Sequence, residues 1–273
     1  MANEAQVFGA GRPKVWSIPP GANFLRALAT TLAKETQLAD QPDALSDAII
    51  YVPNSRSSRA LILALYDAAG EKSILPPDVR TLGDLESEEA PPNAETALVG
   101  LPPTLSPARR LGALAALVRK FYEAEYRVDL PPASALAAAR ELSRLLDQAA
   151  LSADADWTKL DGLVEESDLA AHWHRSVAFL KIITAAWPEW LADNNSMDPF
   201  ARRLAAAEAL AADWLANPPT APVIIAGSTG ATPAGRVLMK AALTLPKGLI
   251  VLPGLDMDAD DEAWNAIRQS VSH

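Results

Sequence analysis

Apolar positions along this chain follow two patterns, short unbroken runs and stripes recurring every three or four residues. The runs Val15-Trp16-Ser17-Ile18, Ala48-Ile49-Ile50-Tyr51-Val52, Val223-Ile224-Ile225-Ala226 and Leu249-Ile250-Val251-Leu252 are rich in Val and Ile. Runs of this length predict short strands, a buried one at Val223–Ala226. Val79-Arg80-Thr81-Leu82 reads as a further short strand. The first run is followed by a Gly21 turn and an amphipathic helix from Ala22-Asn23-Phe24 onward. The second is followed by Pro53-Asn54-Ser55-Arg56-Ser57-Ser58-Arg59 and then a helical stripe from Ala60 to Ala69, closed by Gly70. Strand–helix units of this length favour parallel pairing through right-handed crossovers.

The pattern changes in the middle of the chain. Residues 90–103 are dominated by Pro, Ala and Glu and read as a linker or exposed loop. Beyond them the stripes are helical and rich in Ala and Leu. Ser106-Pro107 has the form of an N-cap followed by Pro at the first helical position, opening a helix over Ala108 to about Tyr126. Pro131-Pro132 opens another through Gln148, and further helices are expected over about Asp168–Leu191 and Pro199–Leu215. After Val223–Ala226, a helix over Thr232–Leu243 and the run Leu249–Leu252 return the chain to alternating α and β. The expected organisation is an α/β core over residues 13–103, a helical insertion over 104–217, and the remainder of the core over 218–268.

Composition narrows the chemistry. The 273 residues can bury a substantial core, and the absence of cysteine excludes disulfides, thiolate metal sites and cysteine nucleophiles. No apolar run approaches the roughly 18 residues of a membrane span, and Met1–Gln6 lacks the basic and apolar regions of a secretory signal. A cytoplasmic protein without membrane contact is the expectation. The net charge of −10 argues against a general nucleic-acid coat, yet the acids cluster in Asp84–Glu89 and Asp256–Glu262. Neither cluster has EF-hand spacing, so both read as solvated loops, and a local basic track elsewhere is compatible with the total.

The turn after the first strand stands where a phosphate-binding loop would lie. Such a loop needs G-x-x-x-x-G-K-[ST], with Lys on the β/γ-phosphates and a hydroxyl on Mg²⁺. Here Pro20, Gly21, Ala22 and Asn23 lead into the helix, and the next lysine is Lys34. Backbone N–H groups at a helix start can still hold a phosphate, so these four residues are the candidate nucleotide site, in degenerate form. The run Val223–Ile225 ends in Ala226 and Gly227, with none of the acids that hold Mg²⁺ in a nucleotide hydrolase.

Several stretches together resemble the N-terminal region of the AddB family, the second subunit of the AddAB helicase–nuclease that processes broken DNA ends. They are Ser17–Ala22, Ile50–Arg56, Leu82-Gly83-Asp84, Leu101-Pro102-Pro103, Ser106–Arg110, His172-Trp173 with Phe179–Ile182, Ala226–Gly230 and Val251–Asp256. The likeness is to the branch with degenerate helicase motifs, and it spans about residues 13–268. It implies a P-loop, superfamily 1 helicase-like parallel core without hydrolytic activity of its own and without a cofactor in this segment. It also implies an AddA-type helicase–nuclease subunit as partner, and DNA ends or single-stranded DNA as ligand. Family members are much longer and carry a nuclease domain, so Trp264–His273 reads as an unfinished helix or linker and the chain as a fragment.

Under that resemblance Asn54, Ser55, Arg56 and Arg59 follow the second strand at the place of helicase motif Ia, where hydroxyls, amides and basic groups touch a strand backbone. An ordinary strand-to-helix turn with N-capping serines accounts equally for the same residues. Arg109-Arg110 and Arg119-Lys120 give one helix a basic edge, expected to be solvated or salt-bridged to the acidic loops. His172 and His174 flank Trp173 but lack a convincing third ligand. Trp157, Trp173, Trp187, Trp190 and Trp214 fall on apolar helical stripes and are expected in helix packing. The small-residue loop Ser228–Thr232 allows an alternative reading, a nucleotide-dependent α/β enzyme with Asp256 as the ribose-binding acid.

Overall fold

The computed structural model describes residues 12–82, 100–151 and 176–254, with the single positions 8, 260, 262 and 265. Val15–Ile18 forms β1, Phe24–Glu35 forms α1, Ile49–Val52 forms β2, Ser55–Ala68 forms α2 and Asp78–Thr81 forms β3. Helices α3 (Pro107–Tyr126) and α4 (Pro132–Leu151) follow. A π-helical turn at Ile182–Ala186 leads into α5 (Trp187–Asp193), then α6 (Pro199–Ala216). The chain continues through β4 (Val223–Ala226), α7 (Pro233–Thr244) and β5 (Gly248–Pro253).

The five strands make one sheet, ordered β1-β5-β4-β2-β3 and parallel throughout. Two compact units divide the chain. The α/β unit comprises Met1–Asp84, Ala211–Gly230 and Leu238–His273, and the helical unit comprises Leu85–Leu210 with Ala231–Val237. The boundaries fall inside α6 and α7.

Every residue of β2 and β4 is buried, which is why both read as uninterrupted apolar runs. On one face Ile50, Val52, Ile224, Ala226, Leu249 and Val251 pack with Leu28 and Leu32 of α1 and Leu61 and Leu65 of α2. Side chains alternate along a strand, so Tyr51 points to the opposite face, where Trp214 meets it edge-on at 6.1 Å between ring centroids. The Tyr51 hydroxyl accepts a 3.4 Å hydrogen bond from Arg80 Nη1, and Arg80 Nε donates to Asp78 Oδ2 at 2.9 Å.

Burial raises the Tyr51 pKa above its ordinary value, against the opposing pull of the Arg80 charge. The fold therefore holds this phenol proton after the unfolded chain has released it. Tyr51 stabilises fully below the unfolded pKa of 10.0, and its contribution is lost as pH rises from there through the folded pKa. Urea midpoints are expected to fall between pH 9 and pH 11 in the wild type, with a shallower fall in Tyr51→Phe. Parallel pH curves for the two proteins would contradict this.

In the helical unit α3 and α4 pack lengthwise around Leu114, Val118, Ala135, Ala139 and Leu142. Ser106 Oγ accepts from Arg109 N–H at 3.3 Å and caps α3, whose last turn ends on Arg127 at φ 56. The helix expected to run unbroken to Leu191 is instead interrupted by the π turn, where Trp187 N–H donates to Ile182 O. Pro188, one residue into α5, explains the interruption. It has no N–H for the carbonyl four residues back, and its ring crowds that carbonyl.

Among the described residues no helix is long and apolar enough to cross a membrane. Trp157, Trp173, His172, His174, all of Asp84–Glu89, and Asp256–Glu262 apart from positions 260 and 262 lie outside the described residues.

Candidate functional site

Parallel strands put all their carboxyl ends on one edge of the sheet, and the connecting loops meet there. At the end of β1, Gly21 adopts φ 87 and Ala22 N–H turns back to Pro19 O at 3.3 Å. Asn23 then caps α1, its Oδ1 accepting from Arg26 N–H at 3.2 Å. The Ala22 and Arg26 amides are thus already bonded within the turn, and Pro20 brings no amide hydrogen at all. All four candidate nucleotide residues, Pro20, Gly21, Ala22 and Asn23, are exposed.

At the end of β2 the helix starts earlier than the hydrophobic stripe suggested. The cap is Asn54 rather than a serine. Its Oδ1 accepts from Ser57 N–H at 2.9 Å and lies 3.2 Å from Ser57 Oγ. Ser55, Arg56 and Arg59 therefore belong to the first turns of α2 instead of a loop. Ser58 Oγ donates to Val79 O at 3.2 Å and ties that turn to β3. Arg56 and Arg59 are exposed on α2, together with Leu63 and Tyr66 further along the same stripe.

The strand order holds these two segments two strands apart, and their side chains meet over the end of β4. β1 pairs with β5 from Val15↔Ile250 to Ile18↔Pro253, and Gly254 N–H continues the ladder to Ile18 O at 2.8 Å. β5 and β4 stand between β1 and β2. Gly227, directly after β4, is where the segments meet. A Cβ built there would lie 3.2 Å from Phe24 Cε1 and 3.4 Å from Pro53 Cδ, and its φ of 78 favours glycine as well. Pro20 approaches Gly254 in the same way, 3.5 Å from where a Cβ would stand.

From β2 the chain moves outward to β3, whereas from β4 it moves the other way, to β5. The gap between the carboxyl ends of β2 and β4 is thus the point where the winding reverses, the usual place for a ligand crevice in an open parallel sheet. Asn54–Arg59 follows the carboxyl end of β2, and Gly227–Gly230 follows that of β4. In the rival loop, Ser228 Oγ accepts from Gly230 N–H at 3.2 Å. Thr232 Oγ1 accepts from Gly235 N–H at 3.2 Å and caps α7, leaving Pro233 at its ordinary first-turn position. Among the described residues no group of three or more His, Asp or Glu side chains converges as a metal site would require.

The basic edge expected on α3 is divided. Arg109 is exposed and Arg119 donates to Asp129 at 2.8 Å, but Arg110 is only 7% exposed. Its Nε donates to Asp198 Oδ2 and its Nη1 to Asp147 Oδ1 and Ser143 Oγ, all at 2.8 Å. Trp187 Nε1 reaches the same Asp198 oxygen at 3.3 Å. No local pattern marks this network, because its members are 88, 37 and 11 positions apart. Asp198 directly before Pro199 has the form of a helix start, but nothing local names Arg110 as its partner. Of the described tryptophans in the helical stretch, Trp187 and Trp214 are buried, and Trp187 stacks on Trp190 with centroids 5.4 Å apart.

No family model matches the chain, and no curated protein matches it.

Proposed function

We propose that this chain is a non-hydrolytic, helicase-like part of an AddB-type subunit, which scaffolds an AddA-type motor and guides one DNA strand across the carboxyl edge of its sheet. The observation that carries the reading is the pairing of exposed Arg56 and Arg59 with the winding-reversal crevice between β2 and β4. Two guanidinium groups on one helix face beside small, close-packed loops suit the phosphates and sugars of a strand. The Pro20–Asn23 turn supports the non-hydrolytic half. It offers no lysine for phosphate and no hydroxyl for Mg²⁺, and its Asn23 side chain serves the helix. Ala226 and Gly227 likewise bring no carboxylate to the end of β4.

The test is fluorescence anisotropy with single-stranded DNA across a salt series, wild type against Arg56→Ala/Arg59→Ala. Both side chains are exposed, so the double variant is expected to fold. Affinity is expected to fall about tenfold, and the slope of log K against log salt to shrink by about 1.4, from two lost phosphate contacts on a single strand. Wild-type binding that ignores both arginines would refute the guiding role. ATP turnover abolished by altering Pro20–Asn23 would refute the non-hydrolytic one.

A further inference from the structure

The helical unit contains a second cationic feature, independent of the sheet edge. A cavity of about 460 Å³ opens between α3, α4 and the start of α6. Four guanidinium groups line it, those of Arg110, Arg140, Arg144 and Arg203, against one carboxylate, Asp147. Such a concentration is unusual in a chain of net charge −10.

Among the described residues, the carboxylates near this cavity are already engaged. Arg110 holds Asp147 and Asp198 at 2.8 Å, and Arg144 Nη1 donates to Glu141 at 2.6 Å. Arg140 is exposed with no ion pair among the described residues. Arg110 Nη2 is buried and has no hydrogen-bond partner among the described residues, although the rest of that guanidinium is fully used. Arg203 is held in place by the face of Phe200, 4.9 Å from the ring centroid, so less freedom is lost when it engages an anion. Pro107 and Pro199, the first residues of α3 and α6, also border the cavity. The positive ends of two helix dipoles therefore lie at the same rim. Leu111 and Phe200 supply an apolar wall beside the charges.

We propose that this cavity binds the phosphate of a nucleotide, with the nucleoside against Leu111 and Phe200. Guanidinium forks match phosphate oxygens in pairs, and the volume lies within the ordinary range for small-ligand sites. The nucleotide is either free or one link of a single strand, because the chemistry recognised is the same. The site needs nothing from the Arg56–Arg59 face.

Three probes distinguish the sources in the full chain at low salt: inorganic phosphate, thymidine 5′-monophosphate and a fluorescein-labelled oligothymidylate. Each is titrated against wild type, Arg140→Ala/Arg144→Ala, Arg56→Ala/Arg59→Ala and the exposed control Lys120→Ala. The expected result is about a tenfold loss with Arg140→Ala/Arg144→Ala and none with Lys120→Ala. Mononucleotide binding with that pattern identifies a free nucleotide as the ligand. Oligonucleotide binding alone with that pattern identifies a strand, and retention of part of it in Arg56→Ala/Arg59→Ala separates this site from the sheet edge. Binding that ignores Arg140 and Arg144, or wild-type protein that binds none of the three probes, would overturn the proposal.

Discussion

Asp198→Ala is expected to cost about 3–5 kcal/mol, the range for breaking a buried ion pair from one side. Asp198 is 8% exposed and serves three donors. Its Oδ2 accepts from Arg110 Nε and Trp187 Nε1, and its Oδ1 lies 3.3 Å from Phe200 N–H in the first turn of α6. The substitution leaves a buried guanidinium nitrogen and a buried indole N–H without acceptors, in surroundings that admit little water. Asp147 also bonds Arg110, but its side chain is 36% exposed, so Asp147→Ala should cost only about 1 kcal/mol. Urea unfolding followed by circular dichroism measures both. Equal losses in the two variants would show that burial of Asp198 is not what makes the network strong.

Gly248→Ala should cost about 3 kcal/mol, the upper part of the usual range for overpacking a closed site. Gly248 opens β5 directly behind the last turn of α7. An added Cβ would run into the carbonyl oxygen of Ala242 and stand 2.8 Å from its carbonyl carbon. Both obstacles are backbone, so no side chain can swing aside. Relief would require moving α7 or β5, and β5 is held between β1 and β4 by Ile250↔Val15 and Leu249↔Ile224. Lys14 Nζ further fixes the end of α7 by donating to the carbonyls of Leu243 and Leu245, at 2.8 and 2.6 Å. Gly112→Ala is the contrast. It lies within α3 with nothing inside 4 Å of an added Cβ, and should stabilise by about 0.5–1 kcal/mol through helix propensity. A Gly248→Ala protein with an unchanged urea midpoint would refute the close approach.

Much of the α/β framework is legible residue by residue. Ile49–Val52 and Val223–Ala226 read as buried strands because a strand covered on both faces has no polar position to interrupt it. Ser106-Pro107 marks a helix start because caps and first-turn prolines act within a few residues. Boundaries were less secure. The apolar stripe of α2 begins only at Ala60, since Ser55–Arg59 carries none, whereas the Asn54 cap begins the helix at Ser55. That difference moves Arg56 and Arg59 from a loop onto a helix face. The Pro188 disturbance is equally local, but the apolar stripe that continues around it conceals the break.

By itself the sequence determined the strand and helix segments, the parallel alternation, and the lack of phosphate-gripping side chains at Pro20–Asn23, since each depends on residues within a few positions of one another. Only the tertiary structure decided that β5 and β4 stand between β1 and β2 and that Gly227 lies against Phe24 and Pro53. It alone brought Arg110, Asp147 and Asp198 into one network beside an arginine-lined cavity. Strand order and long-range ion pairs leave local periodicity unchanged. They are set by which faces bury best together, a property of the packed chain as a whole.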